Sequence, residues 1–224
     1  MLFPNRCFYC NTVIEPEKPV CDKCASRFIL KPFVQVLPNG FLCVSAYSHN
    51  GKSRKQILEY KFKEKKYYYK NYAAIINIML HNVWPDVHFD YFTSVPTFKT
   101  KLKMRGYDQA KLIAVNAADL HRCKYRKLLI QYKSNQSQKK LNAKERRENV
   151  KDVFKVSEKF DVTGKTILII DDVVTTGATL SACADVLLDN GAVAVYCATV
   201  TYAVRRKLKR YKKYKRKKFM PQTS

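Results

Sequence analysis

Negative charge is scarce in this chain, and several familiar signatures are missing altogether. Eighteen Asp and Glu stand against 43 Lys and Arg, for a formal net charge of +25. So little acid points to a polyanionic partner, either nucleic acid or an anionic membrane surface. No apolar run approaches the length of a bilayer span, which excludes a transmembrane helix. Met1–Arg6 leads into cysteines rather than into the apolar segment of a signal peptide, which places the chain in the cytoplasm. His49, His81, His88 and His121 have no metal-ligand spacing and read as structural or exposed side chains. There is no Gly-x-Gly-x-x-Gly, and the one Gly-Lys-Thr, Gly164–Thr166, precedes its strand instead of following one. A dinucleotide fingerprint and a Walker A loop are both excluded.

What is present suffices for a globular fold. With 46% hydrophobic residues, 224 residues can supply a core for one medium domain and an appendage. Eight cysteines invite a disulfide reading, but four form two C-x-x-C pairs, Cys7-Phe-Tyr-Cys10 and Cys21-Asp-Lys-Cys24, ten residues apart. Two such knuckles bring four thiolates to tetrahedral spacing around one Zn²⁺, and metal binding then folds a segment too small to fold alone. All four positions are protein ligands, so the metal is structural. Cys43, Cys123, Cys183 and Cys197 lie in apolar contexts as small core residues.

The stretch from Lys165 to Thr179 organises the rest. Ile167–Ile170 is short, β-branched and apolar on both faces, as a central parallel strand is. The polar turn Asp171-Asp172-Val173-Val174-Thr175-Thr176-Gly177-Ala178-Thr179 follows, and Leu180, Ala184, Leu187 and Leu188 then recur at helical spacing up to Asn190-Gly191. A strand–loop–helix junction of this kind suits phosphate. The first-turn N–H groups are unpaired, the helix dipole is positive there, Gly177 allows close approach, and Thr175, Thr176 and Thr179 add donors. Asp171 and Asp172, at the carboxyl end of the strand, are placed to accept hydrogen bonds from sugar hydroxyls, directly or through Mg²⁺.

Elsewhere the pattern predicts alternating strands and helices. Pro32 to Gly40 reads as a linker. A strand over Phe41–Tyr47 precedes the loop Ser48–Ser53 and a basic amphipathic helix with Ile57, Leu58, Tyr60 and Phe62 on its apolar side. Lys61, Lys63, Lys65 and Lys66 beside Tyr67, Tyr68 and Tyr69 suit a nucleic-acid strand; the alternative is tyrosines packed on the next helix, Tyr72–Asn82. Phe89–Val95 is the next strand. A basic loop with Lys99, Lys101, Lys103 and Arg105 follows, placed to neutralise a leaving pyrophosphate, and then a helix from Asp108 to about His121. Leu128–Tyr132 and Val153–Val156 read as strands flanking Ser134–Asn149, a charged stretch that reads as a lid offering Lys144, Arg146 and Arg147, or as a surface insertion. Ala192–Thr201 is the last strand. Arg205–Lys218, with Tyr211 and Tyr214 among its cations, reads as a tail for phosphate backbones or for solubility. The boundaries that follow are a cysteine module over 1–38, an α/β domain over 39–204 and a basic tail over 205–224.

The stretch Asp171–Thr179 resembles the phosphoribosyl-pyrophosphate loop of type I phosphoribosyltransferases. With the cysteine quartet, Tyr47 and Lys61, Val95-Pro96, Arg105-Gly106-Tyr107-Asp108-Gln109-Ala110, and Gln138, Leu141, Arg146, Asn149 and Phe154, nearly the whole chain resembles the ComF family of competence proteins. Asp108 stands where that family usually has Asn. The resemblance implies a type I phosphoribosyltransferase fold, an open and mostly parallel sheet flanked by helices, with a small N-terminal four-cysteine zinc module. It implies a cytoplasmic protein of natural transformation that handles incoming single-stranded DNA beside a helicase-like partner, with a site for phosphoribosyl pyrophosphate (PRPP). In that site Asp171, Asp172 and Val173, with Thr175, Thr176, Gly177, Ala178 and Thr179, would hold the ribose and phosphate, and Arg105 or Arg146 the leaving group. An active phosphoribosyltransferase using PRPP and Mg²⁺ with an unidentified acceptor is the other reading the same residues allow.

Overall fold

The computed structural model describes residues 4–15, 18–62, 65–132 and 153–203. The expected lid over Ser134–Asn149, including Arg146, and the expected tail over Arg205–Lys218 lie outside these residues. In chain order the elements are α1 (Asp22–Ala25), β1 (Phe33–Val36), β2 (Leu42–Ser48), α2 (Gly51–Phe62), α3 (Tyr68–Val83), β3 (Tyr91–Ser94), α4 (Lys99–Arg105), α5 (Gln109–Leu120), β4 (Lys124–Tyr125), β5 (Leu129–Gln131), β6 (Phe154–Val156), β7 (Thr166–Val174), α6 (Ala178–Asp189) and β8 (Ala194–Tyr202).

Six strands form one sheet in the order β1-β2-β8-β7-β3-β4, and β5 pairs with β6 separately. Only β1 runs antiparallel to its neighbour in the six-stranded sheet; the β2–β8, β8–β7, β7–β3 and β3–β4 pairs are parallel. A parallel sheet needs helical crossovers and cover on both faces, and the alternation of apolar residues supplies two cores. Leu168 and Ile170 of β7 pack with Val44, Ala198 and Val200 beneath α3 and α5. Ile167 and Ile169 pack with Cys43 and Cys197 on the other face, against Leu180, Ala184 and Leu187 of α6 and Phe154 of β6.

Several elements differ from the sequence reading. Residues 33–36 of the expected linker are an edge strand, because Phe33-Val-Gln-Val is a strand sequence that pairs along β2, Phe33 opposite Ser45. The expected basic loop is helix α4, ended by Gly106 in the left-handed conformation, whose N–H donates to the Leu102 carbonyl. β7 runs on to Val174, so the acidic pair lies inside the strand and not after it. Helix α3 begins at Tyr68, which is buried against Phe8 and Tyr72; here packing accounts for a tyrosine that also suited a nucleic-acid strand.

The cysteine segment is built into the first core. Phe8 stacks on Tyr47 at 6.1 Å and meets Tyr72 edge-on at 6.0 Å. The buried Asn71 side chain donates to the carbonyls of Arg6 at 2.6 Å and Pro19 at 2.9 Å, and Gln56 donates to the carbonyl of Phe8 at 3.2 Å. These bonds tie α2 and α3 to the backbone of the short segment, whose Pro19 carbonyl also accepts from the Phe8 N–H at 3.0 Å.

Candidate functional site

The carboxyl ends of β7 and β3, the last turn of α2 and the first turns of α5 and α6 enclose a cleft of about 380 Å³. Crevices in open α/β sheets form at this edge, where the strands end and the helices begin. Asp171, Asp172, Val173, Thr175 and Thr179 line it from the motif, and Lys61, Lys101 and Arg105 line it from the helices around it.

Alternation along β7 gives the two carboxylates different surroundings. Asp172 is 5% exposed, and Lys61 Nζ lies 2.8 Å from its Oδ1. Asp171 accepts a hydrogen bond from the Asp172 N–H at 2.8 Å and lies close enough to the buried thiols of Cys183 and Cys197 to push them further up. Burial raises the Asp171 carboxyl to about 7; the Asp172 charge adds to the rise and Lys61 offsets part of it. At neutral pH the pair therefore carries less than two full charges, one of them answered by Lys61.

The turn that follows is shaped for close approach. Gly177 has φ +77°, and a Cβ there would come within 2.7 Å of Leu37 Cδ2 and 3.0 Å of Pro38 Cδ. Thr175 and Thr176 are exposed, and the Thr176 hydroxyl accepts from the Ala178 N–H at 3.3 Å. The turn at Pro38–Gly40 is fastened to α6: Ser181 Oγ donates to the Pro38 carbonyl at 2.5 Å, and Asn39 donates to Asp185 at 2.6 Å. The end of the expected linker is thus the floor on which the phosphate turn rests.

Arg105 ends α4 with its guanidinium 5.3 Å from the Phe62 ring and donates to Gln109 Oε1 at 3.1 Å. Its Nε and the Gln109 Nε2 are buried donors with no partner among the described residues, so this wall has hydrogen-bonding capacity to offer an acceptor. His49 also lines the cleft, its imidazole lowered by burial and by Lys61 and Arg54, and it pairs with the Thr201 hydroxyl at 3.0 Å. Sequence reasoning missed both His49 and the partner of Lys61. Neither has a local signal, since each meets the acidic pair only through the fold.

The acidic pair offers oxygen ligands of the kind Mg²⁺ takes, though Asp172 Oδ1 is engaged by Lys61. Cys7, Cys10, Cys21 and Cys24 place their sulfurs within 4.8 Å of one another, Cys10 and Cys21 at 3.6 Å. A tetrahedral zinc–thiolate site sets sulfurs about 3.8 Å apart, so the quartet fits a metal such as zinc. Cys43 and Cys197 in the sheet and Cys183 in α6 are fully buried, and Cys123 is partly buried.

A family model described as the phosphoribosyl transferase domain matches residues 120–222. The competence protein ComFC of Bacillus subtilis is 29% identical over 150 residues, which is 67% of this chain and 59% of that one. The DNA utilization protein YhgH of Escherichia coli is 33% identical over 107 residues, 47% of this chain and 46% of its own length. The chain is a homologue of ComFC and YhgH. It spans about half the length of the YhgH relatives it matches. Among solved structures, adenine phosphoribosyl transferase of Trypanosoma brucei in complex with AMP, pyrophosphate and ribose-5-phosphate aligns at 15% identity and a TM-score of 0.45, over 78% of this chain and 76% of that one. The chain has the type I phosphoribosyltransferase fold: a mostly parallel sheet flanked by helices, with the four-cysteine cluster at its N-terminal end. No helix among the described residues is long and apolar enough to cross a membrane.

Proposed function

We propose that this protein handles incoming single-stranded DNA in natural competence, inside the cell and beside a helicase-like partner, and that its cleft binds PRPP. The observation that carries the reading is the convergence on one cleft of the acidic pair, the Thr175–Thr179 turn and three cations, Lys61, Lys101 and Arg105. A vicinal diol donates to carboxylates and a 5′-phosphate accepts from a helix N-terminus, so the two halves of the cleft match the two ends of a phosphorylated ribose. The similarity to a competence protein and to a DNA utilization protein supports the DNA side of the reading. So does the charge: +25 is far beyond what a small phosphorylated ligand requires.

Zinc, when bound by Cys7, Cys10, Cys21 and Cys24, would hold the N-terminal segment in shape. Mg²⁺, when bound with the ligand near Asp171 and Asp172, would supply Lewis-acid stabilisation of pyrophosphate charge. The chain's own residues orient the ribose and neutralise its phosphates. We assign the cysteine module to residues 1–38, the phosphoribosyltransferase-like domain to 39–204 and a basic tail to 205–224.

One observation favours a second reading, transfer chemistry at the anomeric carbon. Arg105 and Lys101 stand where a leaving pyrophosphate would gather charge, and Arg105 brings an unpaired buried donor. Calorimetric titration of the zinc-loaded protein with PRPP and Mg²⁺, repeated with an oligothymidylate present, tests the proposal. Binding lost in Asp171→Asn/Asp172→Asn while DNA binding persists is expected. Affinity for the oligonucleotide should fall steeply with salt, by roughly 0.7 in the log–log slope per phosphate contacted, and should weaken when 205–218 is deleted. A salt-insensitive affinity would refute the DNA assignment, and absence of PRPP binding would refute the ligand.

A further inference from the structure

The acidic pair faces its ligand with one charge already answered. Lys61 Nζ lies 2.8 Å from Asp172 Oδ1, with the lysine side chain 18% exposed and the aspartate side chain 7%. A pair this enclosed differs from a surface lysine resting on a carboxylate, because parting it leaves a charge without water to solvate it. The lysine is also held in place. The Tyr60 hydroxyl, one residue earlier, donates to the Gln109 carbonyl at 2.9 Å, and the Tyr107 hydroxyl donates to the Tyr60 carbonyl, so the last turn of α2 is tied to α5 and to the loop before it.

In chemical terms an ammonium beside a carboxylate does for a diol what a divalent metal does. The carboxylate accepts from a hydroxyl hydrogen, and the ammonium, with three donors and one spent on Asp172, donates to hydroxyl oxygens. Two carboxylates meet three cations on the walls of this cleft, Lys61, Lys101 and Arg105. That balance opposes a free divalent cation and favours an anionic ligand.

Resting on the phosphoribosyl reading above, we infer that Lys61 is the built-in counter-cation of the ribose-hydroxyl half of the site, so that this half takes a phosphorylated ribose without a divalent metal. Mg²⁺ then enters only with the pyrophosphate of a larger ligand. Lys61 is a ligand-positioning residue in its own right, and Asp172 is oriented by it.

Titration of the zinc-loaded full chain with ribose 5-phosphate, which has no pyrophosphate, once in chelator-free buffer without Mg²⁺ and once in millimolar Mg²⁺, separates the possibilities. In the wild type the two affinities should agree within about twofold, a difference too small to represent a lost ligand contact. Lys61→Met, close in volume but without charge, should lose about tenfold or more without Mg²⁺ and recover part of that loss in Mg²⁺. Lys61→Arg, which keeps the cation, should remain metal-independent, and it serves as the deciding variant if the methionine variant fails to fold by circular dichroism. Wild-type binding that collapses when Mg²⁺ is left out overturns the inference, as does a folded Lys61→Met with unchanged affinity in the absence of Mg²⁺. If PRPP binds with Mg²⁺ while ribose 5-phosphate requires the metal, the phosphoribosyl reading stands and only the role of Lys61 falls. If neither ligand binds, both fall together.

Discussion

Gly177 is the position at which the local conformation, the fold and the proposed ligand all depend on one missing side chain. Its φ of +77° lies in the left-handed region, where a Cβ costs about 1–2 kcal/mol. Alanine would also place a methyl group 2.7 Å from Leu37 Cδ2 and 3.0 Å from Pro38 Cδ. Neither neighbour is free to retreat. Leu37 is 5% exposed, and Pro38 is held to α6 through Ser181. Overpacking of such a site costs about 1–3 kcal/mol, so Gly177→Ala should destabilise by about 2–5 kcal/mol, or roughly 4–20 °C in Tm for a chain of this size. Urea denaturation followed by circular dichroism measures it. The cause can be isolated by a double-mutant cycle with Leu37→Ala, which removes the nearest clashing atom while leaving the backbone term. The double variant should be more stable than the sum of the single losses by about 1 kcal/mol or more. Gly177→Ala within about 0.5 kcal/mol of the wild type, or strict additivity in the cycle, would refute the account of Leu37–Pro38 as a rigid floor under the phosphate turn.

Other expectations test separate parts of the structure. Metal analysis should find one zinc per chain, and Cys10→Ser or a strong chelator should release it and lower the thermal midpoint, because metal binding to a site absent from the unfolded chain adds to folding free energy; a metal-free protein of unchanged stability would count against the site. Phe8→Ala should cost about 3–5 kcal/mol in urea denaturation, since the ring is 7% exposed and packs on Tyr47, Tyr68 and Tyr72; a loss under about 1 kcal/mol would mean the cysteine module is only loosely docked. Asp171 has a carboxyl near 7 in the folded state against about 4 unfolded, so the folded chain binds the extra proton between these values. Its contribution to stability is full below about pH 4 and lost as the pH rises toward 7, and Asp171→Asn should flatten that slope in a series of denaturation curves; an unchanged slope would remove the burial argument.

The sequence exposes what local chemistry determines. Ile167–Thr179 is readable because strand propensity, an acidic pair, a glycine and a helical repeat follow one another without interruption, and the structure keeps that order. The cysteine pairs are readable because the spacing of ligands is itself local. Legibility fails where two local signals compete. Pro32 and Pro38 mark a linker, yet Phe33-Val-Gln-Val between them is a strand, and pairing with β2 decides it. Lys99–Arg105 lacks a buried apolar face, Leu102 and Met104 both being exposed, so no periodicity reveals α4; Gly106 is its one stop signal. Lys61 on Asp172 joins positions more than a hundred residues apart, and nothing in either neighbourhood announces the pairing.

That ion pair also shows how a chain of such excess charge arranges its acids. Lys18 with Glu15 and Asp22, and Lys155 with Glu158, are open to solvent and contribute little. Lys165 with Asp90 and Lys65 with Glu59 are intermediate. Only Lys61–Asp172, among the described pairs, is enclosed on both sides, and it lies in the cleft. The enclosure has a structural source. Phe8 packs on Tyr72, Tyr72 on Tyr60 at 5.4 Å and Tyr60 on Tyr107 at 5.7 Å, a continuous line of rings from the cysteine quartet to the turn that carries Lys61. The small module that carries the cysteine quartet thereby braces the wall of the cleft. Among the described pairs the others face solvent more openly, while Lys61 and Asp172 are held together in the cleft.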